Sequence, residues 1–207
     1  MEPLLEVRKL TLGYKKPLVR ELSFSLMPGE MLGILGRNGC GKTTLLRGIA
    51  GGVRRFDGEV ILGGEECASL SQKKRAQRMA VLPQQTRILE GITVREVLSM
   101  GLYPYGSAFL TKVDEARIRE AAAVFGVEEH LEEDCSHLSQ GQRQLVLLAE
   151  LLVQDTPVLL LDEPDTALDY DNTHTMFQTL RTLVTQRKKG ALLVLHNPEQ
   201  ALRWCDR

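Results

Sequence analysis

The stretch that most constrains this chain is EMLGILGRNGCGKTTLLRGIA, residues 30–50. An apolar run ends at Gly36. Four residues follow (Arg37, Asn38, Gly39 and Cys40), then Gly41, Lys42 and Thr43, and then a helical pattern. Glycines let the backbone curl so that successive N–H groups face one point, and a helix N-terminus adds positive potential there. That is a cradle for a phosphate chain. Lys42 can reach the terminal phosphates, and the Thr43 hydroxyl, followed by Thr44, can ligate Mg²⁺. An ordinary glycine-rich turn from strand to helix has no need of the Lys-Thr pair. The cradle demands a buried strand before it and a helix after it, so it predicts an α/β fold.

A second acidic feature fits the same fold. VLLLDEP puts Asp162 and Glu163 at the end of an apolar strand. Ligands of open α/β sheets bind outside the carboxyl ends of strands. Asp162 can complete a metal site with Thr43, and Glu163, one residue on, should point differently and can activate water. Elsewhere LLEVRKL and ELSFSLM alternate with the period of half-buried strands. GEVILG, MAVLPQ and ALLVLHN read as further strands, and a long helix is expected over about Asn172–Lys188. The middle is different. TVREVLSM opens with a capping box from Thr93 to Glu96, and DEARIREAAAVFG is an Ala-rich helix closed by Gly126. No clear strand interrupts Thr93–Gln154, which predicts a helical subdomain inserted in an α/β core.

Composition removes several classes. The 207 residues suit one sizeable domain or two small ones. A formal net charge of −1 argues against nucleic acid as the main partner, because phosphate-backbone binders usually carry a basic excess. Cys40, Cys67, Cys135 and Cys205 form no CxxC pair and lack metal-site spacing, so neither a disulfide framework nor a zinc site is expected. No apolar stretch reaches the length of a membrane span, and MEPLLEVRKL has no signal-peptide core. The chain alone is expected to be soluble and to work at a membrane only through a partner.

The residues LSQGQRQL, 138–145, raise a separate question. Ser139 suits an N-cap for the helix that follows, and alone that would be its whole role. Together with the phosphate loop and the acidic strand end, however, LSQGQ resembles the nucleotide-binding subunit of ABC transporters, over nearly the whole chain. Leu138–Gln142 match that family's LSGGQ signature, with Gln140 in place of the first Gly. Gln84 matches its Q-loop glutamine, although Gln85 stands beside it and could do the same work. Ala167–Asp169 match its D-loop, His196 its switch histidine, and Tyr14 the position of a ring that stacks on adenine. Tyr14 is also readable as an ordinary strand aromatic, His196 as a surface histidine and Cys40 as a small spacer.

The resemblance implies one ABC ATPase domain over 1–207. It has a P-loop NTPase core with a mainly parallel sheet (1–85 and 158–207) and an N-terminal antiparallel β subdomain. The inserted helical subdomain spans 86–157. It implies ATP and Mg²⁺ as cofactors, with Gly36–Thr44 on the nucleotide and Thr43, Gln84 and Asp162 at the metal. Glu163, His196, Gln84 and Lys42 would be catalytic. Two chains would dimerise head to tail with ATP between them, so that Ser139, Gly141 and Gln142 meet the nucleotide held by the other chain. The partners would be transmembrane permease subunits, contacted by residues 86–107, and indirectly a substrate-binding protein. The place of work would be the cytoplasmic face of the membrane.

VREVLSMGLYPYGS resembles a segment of importers of iron siderophores, haem and cobalamin, with Leu102 where those usually carry Arg. Asp165 and Asn197 also depart from the common residues. The chain stops at Arg207, soon after the switch histidine, where most importer subunits continue. An exporter subunit is the nearest alternative. A soluble ABC ATPase of DNA repair would carry a long insertion before the signature, and a P-loop kinase would leave LSQGQ and His196 unexplained.

Overall fold

The computed structural model describes residues 2–84, 90–106 and 110–207. Gln85, the alternative to Gln84, and the stretches 86–89 and 107, expected near the membrane partner, lie outside the described residues.

Alternation builds the first sheet. In β1 (Leu5–Gly13) the side chains of Leu5, Val7, Leu10 and Leu12 are buried. β1 pairs antiparallel with β2 (Pro17–Leu26) on one side and with β4 (Arg54–Leu62) on the other. A two-residue β5 (Glu65–Glu66) completes the sheet, whose order is β2-β1-β4-β5. The second sheet is parallel, ordered β3-β8-β7-β6, from β3 (Met31–Ile34), β6 (Met79–Leu82), β7 (Val158–Asp162) and β8 (Gly190–Val194). Every residue of β7 and β8 is buried, because both faces of a parallel sheet are covered. That is why both strands read as unbroken apolar runs.

The two faces of this sheet bury separate cores. Val158, Leu160, Leu192 and Val194 pack with Leu45, Leu46 and Ile49 of α1 (Lys42–Ile49) and with the antiparallel sheet. Leu159, Leu161, Ala191 and Leu193 face the other way, into a cluster shared with α3 (Val94–Met100), α4 (Lys112–Val124), α5 (Gln140–Gln154) and α6 (Tyr170–Gln186). Helix α1 is therefore clamped between two sheets, which fixes the phosphate loop at its N-terminus. Gly48 allows the close fit: a Cβ there would lie 2.2 Å from Leu12 Cδ1.

Between Thr93 and Gln154 the described residues hold helices and turns, with one isolated bridge, Thr93–Asp134. The expected capping box at Thr93 is present, and Gly126 takes the left-handed conformation after α4. α6 begins earlier than expected because Asp169 caps it, accepting from the Asn172 N–H. The short α2 (Gln72–Ala76) and α7 (Pro198–Trp204) were not evident in the residue pattern, and α7 is capped by Asn197. No described helix is long and apolar enough to cross a membrane.

Candidate functional site

The loop after β3 turns on glycines. Gly41 has φ 109°, a conformation that other residues rarely adopt, and a Cβ on Gly36 would sit 2.8 Å from Cys40 Sγ. Lys42 is buried and curls back over this loop. Its Nζ donates to the carbonyl oxygens of Gly36, at 2.7 Å, and Arg37, at 3.3 Å. Among the described residues this ammonium meets carbonyl oxygens and no carboxylate, so its charge is placed for an anion.

The end of β7 supplies the opposite wall. Asp162 is 2% exposed, and its Oδ1 has no hydrogen-bond partner among the described residues. Burial pushes its carboxyl above the ordinary range, while a hydrogen bond with Thr43 pulls it back. Glu163 then takes φ 54°, strained for a residue with a Cβ, where such geometry costs about 1–3 kcal/mol. Its N–H bonds the Val194 carbonyl of β8 at 3.0 Å. This kink sends two adjacent carboxylates to different places, as their roles require. Glu163 Oε2 accepts from Gln84 Nε2 at 2.8 Å, and Oε1 meets His196 Nε2. Three elements thus converge: the ends of β6, β7 and β8 deliver Gln84, Glu163 and His196.

The two walls enclose a cavity of about 370 Å³. Asn38, Gly39, Gly41, Lys42, Thr43 and Thr44 line it from the loop, Gln84, Glu163 and His196 from the strand ends, and Leu18 from β2. Leu18 was not singled out in the sequence; only the pairing of β2 brings it here. Gly36, Arg37 and Cys40 belong to the same loop without lining the cavity. Tyr14 is 57% exposed in the turn between β1 and β2 and is not part of the lining.

Ser139, Gly141 and Gln142 are not brought to this cavity either. They form the start of α5 and satisfy one another. Ser139 Oγ accepts from the Gln142 N–H at 3.2 Å, and Gln142 Oε1 accepts from the Ser139 N–H at 2.9 Å, a complete capping box. The α5 start lies against the loop after β7: Gln144 Nε2 donates to the Pro164 carbonyl at 3.1 Å, and a Cβ on Gly141 would be 3.2 Å from the Ala167 carbonyl oxygen. Gln144 was also missed in the sequence, since its partner is twenty residues away.

A phosphate loop, an acidic strand end with its Gln and His, and a capped signature helix now stand in one chain. Residues 19–166 match the family described as ABC transporter. This chain belongs to the ABC transporter family. Within it, the chain is similar to the petrobactin import ATP-binding protein of Bacillus anthracis, 36% identical over 209 residues, covering 100% of this chain and 77% of that protein. It is likewise similar to the hemin import ATP-binding protein of Bordetella pertussis, 36% identical over 211 residues, covering 98% and 80%. Among solved structures, an ATP binding subunit of an ABC transporter superposes with a TM-score of 0.87 at 27% identity, covering 98% of this chain and 83% of that one. As a member of this family the chain is an ATP-binding, ATP-hydrolysing subunit.

Proposed function

We propose that this ABC ATPase is the motor of an importer for iron-siderophore, haem or cobalamin type substrates, acting on separate permease subunits at the cytoplasmic face of the membrane. The observation that carries the catalytic part is the convergence of Gln84, Glu163 and His196 on the cavity that the Lys42 loop opens into. Lys42 and the loop N–H groups from Asn38 to Thr44 bind the phosphates of ATP. Tyr14, together with Leu18, is the apolar surface for the adenine. Glu163 takes the proton of the attacking water. Its Oε2 accepts from Gln84 and, at 3.5 Å, from Thr166, whereas Oε1 faces His196 alone and keeps a lone pair for that water, so these neighbours orient the base without blocking it. Thr43, Gln84 and Asp162 would hold Mg²⁺. The orphaned, buried Asp162 Oδ1 beside Thr43 fits a cation that completes its valence. When bound, the metal neutralises charge on the terminal phosphates.

The division into a nucleotide-binding core (1–85 and 158–207) and a helical part (86–157) carries over into this reading. The permease has a place to sit: a groove of about 680 Å³ between α2 and the turn at Tyr103–Tyr105, lined by residues including Lys73, Tyr103 and Pro104, with Tyr103 86% exposed. The siderophore, haem or cobalamin assignment rests on the relatives' substrates and on the segment from Val94 to Pro104. A head-to-tail dimer explains why the Ser139 helix start stands apart from the cavity of its own chain.

Glu163→Gln tests the catalytic assignment. ATP binding should persist while turnover falls by about 10²–10⁴-fold, the usual worth of a positioned base. Near-normal turnover in the variant would remove Glu163 from that role.

A further inference from the structure

The capping box at Ser139 does not end with Gln142. Gln142 Nε2 lies 3.0 Å from His130 Nε2, and His130 Nδ1 lies 3.0 Å from Glu133 Oε1. The donors along this row can be assigned without seeing a hydrogen. The Ser139 backbone N–H is a donor and nothing else, so the Gln142 atom facing it must be the oxygen. The other end of that amide is therefore NH₂, a donor, and the His130 Nε2 that receives it must be an acceptor. The ring then carries its proton on Nδ1 and donates it to Glu133. Flipping the Gln142 amide would set two donors face to face at Ser139, and moving the ring proton to Nε2 would do the same at Gln142. One arrangement satisfies all four groups.

We propose that His130, in its Nδ1–H form, is a positioning residue for the signature helix. It fixes the Gln142 amide, and through it the Ser139 main chain and hydroxyl, in the arrangement that receives the partner subunit's nucleotide. The proposal rests on the reading that Ser139 meets that nucleotide. His130 is itself well placed to hold a reference position. It closes a short helical turn at Glu128–His130, and its carbonyl accepts from the Glu133 N–H at 2.9 Å. The segment that follows is sewn to α3: the Val94 N–H donates to the Glu133 carbonyl at 3.0 Å, and the Arg95 N–H donates to the Leu131 carbonyl at 2.9 Å. The Arg95 guanidinium adds ion pairs to Glu115 and Glu132, both at 2.5 Å. The orientation of the signature helix start is thereby referred to α3, the helix that leads into the Tyr103–Tyr105 turn of the proposed permease groove. His130 touches neither substrate nor metal and acts only through Gln142.

The test uses the full chain. In the nucleotide-free protein, at a pH where the ring is neutral, ¹⁵N imidazole spectra should show His130 protonated on Nδ1. An Nε2–H ring would overturn the proposal whatever the fate of the dimer. In turnover assays His130→Leu removes the acceptor. It should lower kcat and ATP-driven dimer formation by about 3- to 10-fold, the scale of one lost hydrogen bond, while KM and the ATP affinity of the single chain stay unchanged. His130→Gln offers an acceptor in nearly the same place and should restore kcat to within about twofold. Equal loss in both variants, or a loss that appears in ATP affinity instead of kcat, would reduce His130 to packing and overturn the proposal. Ser139→Ala, measured beside them, separates the two layers. Full turnover in Ser139→Ala would remove the reading beneath the proposal, and the proposal with it. Loss there with full turnover in His130→Leu would overturn the proposal alone.

Discussion

The signature helix carries a carboxylate in a poor place, and the consequence is measurable. Glu150 lies in the later part of α5, beside the buried Leu151, where the end of α3 comes so close that a Cβ on Gly101 would sit 2.6 Å from the Glu150 carbonyl. Burial pushes its carboxyl from the ordinary 4.5 up to about 7. The folded chain therefore holds a proton there that the unfolded chain releases at lower pH. The raised value favours folding fully below about 4.5, and that contribution is lost as pH rises through about 7. Above both values the folded state must bury a charge, at a cost of about 3 kcal/mol by proton linkage. Glu150→Gln removes the charge and keeps the shape. At pH above 7 it should gain about 3 kcal/mol relative to the parent, a rise in Tm of about 6–12 °C for a chain of this size. Near pH 4.5 the same substitution should give almost no gain, since both proteins are then neutral at this site. Urea melts of parent and variant at both pH values measure the difference, and comparing the pH values cancels whatever the buried amide contributes. A gain of equal size at acidic and alkaline pH, or none at either, would refute the reasoning.

Other expectations follow from the same geometry. Tyr14→Ala should weaken ATP binding by roughly 1–3 kcal/mol, as for other stacked bases, with kcat at saturating ATP unchanged; equal affinity by calorimetry would leave Tyr14 an exposed turn residue. Gly48→Ala should destabilise the fold by about 1–3 kcal/mol, because Leu12 is fully buried and cannot swing away from the new methyl group; a thermal melt at or above the parent's would contradict the packing of α1. Lys42→Ala and Gly141→Asp should each abolish ATP-driven dimerisation, yet an equal mixture should regain about a quarter of the sites, because a mixed pair holds one intact loop facing one intact signature. No recovery, with subunit exchange verified, would end the shared-site reading.

What could be read from the residues was what is local or periodic. The phosphate loop declares itself because its glycines, Lys42 and Thr43 act within nine residues of one another. β7 and β8 declare themselves because a strand covered on both faces must be apolar throughout. α2 and α7 escaped because five to seven residues hold too little of a 3.6-residue pattern to stand out. β5, with two residues, has no pattern at all. At the site, Gln84 and His196 were legible only through resemblance, since nothing local says that the ends of β6 and β8 flank Glu163. Leu18, Gln144 and His130 were not legible in any way. Each acts through a partner that the chain reaches by folding: the loop lysine's cavity, the Pro164 carbonyl and the Gln142 amide. Tyr14 is the reverse case. A motif position singled it out, and the fold puts it on an exposed turn outside the cavity lining.

Ser139 raised the question of whether a helix cap can also be a nucleotide contact, and the hydrogen bonds show that the two roles do not compete. Capping uses acceptors. Ser139 Oγ accepts from the Gln142 N–H, and Gln142 Oε1 accepts from the Ser139 N–H. An arriving phosphate needs donors. Those remain: the Ser139 hydroxyl proton, and the N–H groups of Gln140 and Gly141, which have no partner among the described residues. The helix dipole points the same way as these donors. The cap therefore does more than stabilise α5. By turning the Ser139 and Gln142 oxygens toward main-chain N–H groups, it leaves the hydroxyl proton and the first-turn N–H groups to face outward. Glycine at 141 keeps that surface open and its N–H reachable, with the Ala167 carbonyl close behind it. In the proposed dimer the partner's terminal phosphate completes a first turn that each chain by itself leaves half satisfied.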